Sequence, residues 1–161
     1  MNIASENYEL LRDLSSRLIE KVLSLAPRTG KFSTAIDGLS ITRFDNPAPS
    51  DNCFYAPAIG IVLQGYKQAV IGNEEFRYGE HYCLVNGVDI PSLNNITGAA
   101  PDKPFLAIAL AIDQRLAAEL SASIPPTSTA GASFSSGVSV AAVEPDILEA
   151  FWRLPETWYD P

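Results

Sequence analysis

Two apolar runs of strand length, Ala58 to Gln64 and Tyr66 to Ile71, are joined by a single glycine, Gly65. Side chains alternate across a strand. Ile59, Ile61 and Leu63 therefore share one face of the first run, opposite Gly60, Val62 and Gln64. In the second, Tyr66, Gln68 and Val70 alternate with Lys67, Ala69 and Ile71. The expectation is a buried strand, a turn at Gly65 and a partner strand, with Gln64, Gly65 and Lys67 holding the turn rather than touching a ligand.

The same texture extends in both directions. Asp37-Gly38 between Ile36 and Leu39 is a hairpin-turn signal, and Leu39 to Phe44 alternates as a strand. Asp45 to Asn52, with Pro47 and Pro49, reads as a loop. Downstream, Gly72-Asn73 marks a tight turn, Glu74 to Tyr78 a short strand and Gly79 another turn. His81 to Val85 follows as a strand with His81, Cys83 and Val85 on one face. Asn86 to Pro91 is a loop and Leu93 to Thr97 a strand. Phe105 to Ile112 sets Leu106, Ile108, Leu110 and Ile112 against Phe105, Ala107, Ala109 and Ala111. The bulky face belongs in a core; the alanine face either admits a closely packed element or leaves room for a ligand. Short strands separated by glycine turns predict an antiparallel sandwich or barrel.

Helices flank this β region. Leu11, Leu14, Leu18, Val22 and Leu25 form one apolar stripe, predicting a helix over residues 5–26 with Ser5 as its cap. Pro27 and Gly30 end it, and its stripe must lie on the chain's own barrel or on another subunit. Asp113 caps a helix to about Ser123, with Leu116, Ala117 and Leu120 on its apolar side. Pro125 to Gly137 is a Ser-, Thr- and Gly-rich loop, and Val138 to Val143 returns as a last strand. Pro145 opens a final helix whose apolar side holds Ile147, Leu148, Phe151 and Trp152, stopped by Pro155. Trp158 and Tyr159 are left exposed unless something covers them. The expected fold is mainly β with flanking α-helices in one domain, residues 1–161. It divides into an N-terminal helix (about 5–26), a barrel (about 34–112) and a helical C-terminal part (about 113–154).

Composition excludes several classes. At 161 residues and 47% hydrophobic content the chain can build one ordinary core, and it has no apolar run of membrane-spanning length. Charged residues near the N-terminus (Glu6, Glu9, Arg12, Asp13) stand where an export signal needs an apolar segment, so a cytoplasmic location is expected. Cys53 and Cys83 are the only cysteines, and reduced thiols are the default. The net charge is −8. Residues 1–31 hold five basic and four acidic side chains; the remainder holds six basic and fifteen acidic. Such a body repels phosphate and does not bind DNA through its main surface.

The residues assign no catalytic, cofactor or metal site. His81 is the single histidine, and with Cys83 and a distant Cys53 it falls short of the four ligands a structural zinc takes. Glu74 and Glu75, adjacent on a strand, point to opposite faces and read as a solvated hairpin edge. Tyr66, Phe76, Tyr78 and Tyr82 could line a cavity or simply pack the core and surface.

An ordered set of short motifs points further. Tyr55-Ala56-Pro57 leading through the apolar run to Gln64-Gly65-Tyr66-Lys67 resembles the "P-x-hydrophobic run-QGxK" signature of N-terminal domains in AraC-type transcription regulators. Ile71-Gly72-Asn73 to Tyr78-Gly79 with Tyr82 to Val85, Val88-Asp89-Ile90-Pro91, Lys103-Pro104-Phe105-Leu106-Ala107 and Ile112-Asp113 follow in the family's order. The similarity spans about residues 8–154. Two features depart from the pattern: His81 stands where a small or amide residue is expected, and residues 131–137 resemble an insertion. The resemblance implies a cupin-like antiparallel β-barrel or jelly roll that senses a small-molecule effector, forms a homodimer, or both. DNA would be bound by a C-terminal helix-turn-helix domain that this chain does not contain. No effector contact carries over. A metal-dependent cupin enzyme shares the fold but needs a histidine cluster, and a pure dimerisation module is the third reading.

Overall fold

A computed structural model describes residues 3–123 and 137–154. The elements run α1 (Ile3–Leu25), β1 (Gly30–Ser33), β2 (Leu39–Phe44), β3 (Ala48–Tyr55), β4 (Ala58–Gln64), β5 (Tyr66–Ile71) and β6 (Glu74–Gly79). They continue as β7 (Tyr82–Asn86), β8 (Ile90–Gly98), β9 (Phe105–Ala111), α2 (Gln114–Ser123), β10 (Val138–Ala142) and α3 (Pro145–Arg153). The strands form two sheets, ordered β1-β2-β9-β4-β7-β10 and β3-β8-β5-β6. Every pairing is antiparallel. The result is a cupin-like β-barrel with flanking helices.

Strand alternation divides the apolar residues between two cores. Outward-facing Ile61 and Leu63 of β4, Leu106 and Ile108 of β9, and Leu39 and Ile41 of β2 join Leu14, Leu18 and Val22 of α1 and Leu148 and Phe151 of α3. Inward-facing Val62, Ala69, Ile71, Leu84, Ile96 and Phe105 form the second core, between the sheets. The α1 stripe thus lies on the chain's own six-stranded sheet and against α3. Leu18 and Val22 are fully buried there, and burial on that scale is worth about 1.5–3 kcal/mol per side chain. Asp113 caps α2 as expected: its Oδ1 accepts from the amides of Arg115 (2.9 Å) and Leu116 (3.1 Å).

Four local expectations are corrected. Residues 48–52 are not loop but part of β3, an edge strand whose register shifts between Ala48 and Asp51. An edge position and a bulge are where proline fits a sheet, which accommodates Pro49. Gly65 does not close a hairpin. β4 pairs with β7 and β9, whereas β5 pairs with β6 and β8, so the chain turns a corner from one sheet into the other. His81 lies outside β7, in the turn before it, with φ of 66°. The first helix starts at Ile3, which places Ser5 inside it rather than at its cap. The loop expected over residues 125–137 and the insertion over 131–137 lie, apart from Gly137, outside the described residues, as do the stop at Pro155 and the aromatics Trp158 and Tyr159.

Candidate functional site

Between the sheets is a cavity of about 280 Å³. It exists because small side chains occupy the inner faces of two central strands: Gly60 on β4, and Ala107 and Ala109 on β9. The alanine face of β9 therefore leaves open space rather than admitting another element. Phe44, Tyr78, Leu84, Ile96 and Phe105 complete the apolar wall.

One side of the cavity is polar. β5 alternation points Lys67 inward with Ala69 and Ile71, and its Nζ donates to the Tyr55 hydroxyl at 2.7 Å. That hydroxyl donates in turn to Asn94 Oδ1. Asn94 is buried, and its Nδ2 has no hydrogen-bond partner among the described residues. An unpaired buried donor costs about 1–3 kcal/mol, so a donor held at a cavity wall is poised for an acceptor. Lys67 also lines an outer groove with Tyr66, Tyr78, Gly79 and Tyr82, so its side chain borders both groove and cavity.

The electrostatics are those of a desolvated cation. Burial pulls the Lys67 pKa down to about 8; the nearby Cys53 thiol opposes that pull and the charge of Lys31 adds to it. Among the described residues no carboxylate forms an ion pair with it. Asp51, which lines the cavity, is not among the groups that shift it. Burial raises the phenols of Tyr55 and Tyr78, keeping both neutral at physiological pH. The wall thus presents a cation and an amide donor beside an apolar space.

The residues singled out in the sequence are mostly dispersed. Cys53 lines the cavity, Cys83 is buried in the helix-side core and His81 sits in its turn; the described residues contain no group of three potential metal ligands. Glu75 pairs with Arg77 on the exposed β5–β6 hairpin, and Glu74 is exposed beside it. Of the four aromatics, Tyr78 lines the cavity, Phe76 packs between the sheets, and Tyr66 and Tyr82 are exposed. Gln64 and Gly65 do hold the corner: Gln64 Nε2 donates to Pro104 O at 2.7 Å, and the Gly65 amide donates to Glu80 Oε1 at 3.3 Å. Lys67 does not hold it. Its place on the same face as Ala69 and Ile71 was the sequence signal for an inward lysine. Tyr55 and Asn94 carried no comparable signal.

Comparison with known proteins agrees with this architecture. The sequence model for the AraC-type transcriptional regulator N-terminus matches residues 35–161, and the chain belongs to that family. Among solved structures, an apo point variant of ToxT from Vibrio cholerae superposes with a TM-score of 0.54 at 11% identity, over 80% of this chain and 50% of that one. Wild-type ToxT from the same organism, bound to an unsaturated fatty acid, gives 0.52 at 9% identity, over 79% and 48%. Likeness at this identity concerns the fold, and the chain spans about half the length of these proteins. No curated protein matches the sequence significantly.

Proposed function

We propose that this is an effector-sensing domain that binds a compact, largely apolar small molecule inside its barrel, with an acceptor oxygen directed at Lys67 and Asn94. The observation that carries the reading is the cavity itself: a lysine with no carboxylate ion-pair partner and an unpaired amide donor share a wall of a largely apolar space, whose other polar lining includes Lys31, Ser40, Thr42 and Asp51. A carboxylate or carbonyl oxygen on an apolar body satisfies both donors. The fatty acid held by ToxT has that two-part character, which supports the reading for this chain.

The route from cavity to regulation is one strand thick. β4 and β9 line the cavity with Gly60, Val62 and Ala107 and hold α1 and α3 with Ile61, Leu63 and Leu106 on their other faces. A ligand that shifts these strands biases the helix packing outside, and differential affinity of a hundredfold moves such an equilibrium by about 2.7 kcal/mol. In this proposal the bias reaches DNA through a separate domain, since a body of net charge −8 does not attract phosphate. Pairing with a second copy is compatible with it: α2 buries none of its residues and exposes Leu116 and Leu120 one turn apart.

A thermal-shift screen with small carboxylic acids, aldehydes and ketones tests the reading. A ligand at a hundred times its Kd adds about 2.7 kcal/mol, or several degrees in Tm for a domain of this size. Ala107→Leu, which fills the cavity, is expected to keep the fold and abolish the shift. Equal shifts in wild type and Ala107→Leu would place the ligand elsewhere, and no shift across the set would count against sensing.

A further inference from the structure

We propose that Lys67 captures aldehyde or ketone ligands covalently, as a reversible imine, with Tyr55 passing the proton. This rests on the sensing role above and names the ligand chemistry it would use. Three features of the wall converge on it. The Lys67 amine faces a partly open, largely apolar cavity that Lys31 also lines, and no carboxylate holds it as an ion pair. A neutral phenol stands 2.7 Å from the amine and is fixed by its own bond to Asn94 Oδ1. The Asn94 amide nitrogen has a free donor on the same wall, suited to the oxygen of a carbonyl or carbinolamine.

The step balances without an outside oxidant or reductant. The Nζ lone pair attacks the carbonyl carbon, a C–N bond forms, and the carbonyl π pair moves to oxygen. A proton passes from nitrogen to that oxygen to give the carbinolamine. Tyr55 then protonates the hydroxyl, which departs as water while the nitrogen lone pair closes the C=N bond. The proton remaining on nitrogen returns to the Tyr55 oxygen. Amine and carbonyl have become imine and water. The depressed Lys67 pKa favours the first step: near pH 7 about one-tenth of such an amine is neutral, against about one in three thousand for an ordinary lysine. Cys53 also lines the cavity and is the competing nucleophile, but its adduct is a hemithioacetal with no C=N bond for hydride to reduce.

The test uses benzaldehyde and cyanoborohydride, which reduces imines, at neutral pH, followed by intact mass and peptide mapping. The chain has four lysines, Lys21, Lys31, Lys67 and Lys103, so every competing side-chain amine is mapped in the same digest. Among the side-chain amines the expected result is a benzyl adduct on Lys67, formed at least tenfold faster than on the other three and absent from Lys67→Arg; the α-amine, of similar pKa, is mapped separately. Tyr55→Phe keeps the lysine and is expected to slow trapping about tenfold and to flatten its pH profile, which a merely structural tyrosine would not do. Equal labelling of all four lysines, or an unlabelled Lys67, overturns the proposal. A parallel thermal shift separates it from the sensing role. If benzoate stabilises the wild type while Lys67 stays unlabelled, covalent capture fails and sensing stands; if neither compound acts, both fail.

Discussion

Gly65→Ala is expected to destabilise the domain by at least about 3 kcal/mol, a large share of the roughly 5–15 kcal/mol that holds such domains folded. Gly65 has φ of +86°, where an L side chain is strained by about 1–2 kcal/mol. The larger cost is steric. A Cβ there would stand 2.1 Å from the carbonyl oxygen of Gly98 and 3.2 Å from Cα of Phe105. Both are backbone atoms of the neighbouring strands β8 and β9, so no rotamer change relieves the contact. The ends of two strands must move, in the corner where the chain crosses between sheets. Gly72→Ala is the control, because Gly72 has φ of +60° and open space around it. It should cost only the conformational strain. Urea midpoints measure both, and a Gly65→Ala loss no greater than that of Gly72→Ala would refute the corner as described.

Lys67→Met should do the opposite, raising the stability of the ligand-free domain by about 1–3 kcal/mol while weakening any acidic ligand at least tenfold. The folded-state pKa of about 8 against the ordinary 10.5 sets the upper end, at 1.36 kcal/mol per unit. The amine's residual access to the groove and the lost bond to Tyr55 reduce it. The pH dependence has a definite sign. Below pH about 8 the lysine is charged in both states, and the folded state carries the whole desolvation cost. Between about 8 and 10.5 the unfolded chain still holds the proton that the folded chain has released, so stability rises with pH in this window. Above it the lysine is neutral in both states and the cost is gone. Wild type minus Lys67→Met in ΔG should shrink across that window; a difference independent of pH would mean that the lysine is not desolvated.

Much of this molecule was legible from alternation alone. Ile59, Ile61 and Leu63 face the helices and Gly60 and Val62 face the interior, as β4 periodicity required, and β9 divides in the same way. The α1 stripe and the Pro145 start of α3 were equally readable, because each depends on residues within a few turns. What was hidden depends on distant partners. A glycine between two apolar runs gives the same local signal whether the chain folds back or crosses to another sheet. Pairing of β4 with β9, more than forty residues away in sequence, decides it. Pro47, Pro49 and Asp51 disguised β3, since an edge strand with a bulge tolerates what a central one rejects. The site was harder still. Lys67 could be placed on an inward face, but its meeting with Tyr55 on β3 and Asn94 on β8 required both of those pairings.

In the proposed function the space between the sheets is a ligand site organised by Lys67. A crystal structure of the domain with the most stabilising compound of the thermal screen tests it most directly. Density is expected in the cavity, with an acceptor oxygen within hydrogen-bond distance of Lys67 Nζ and Asn94 Nδ2 and an apolar body against Ala107 and Ala109. A ligand bound outside the barrel, with Lys67 still turned only to Tyr55, would contradict it.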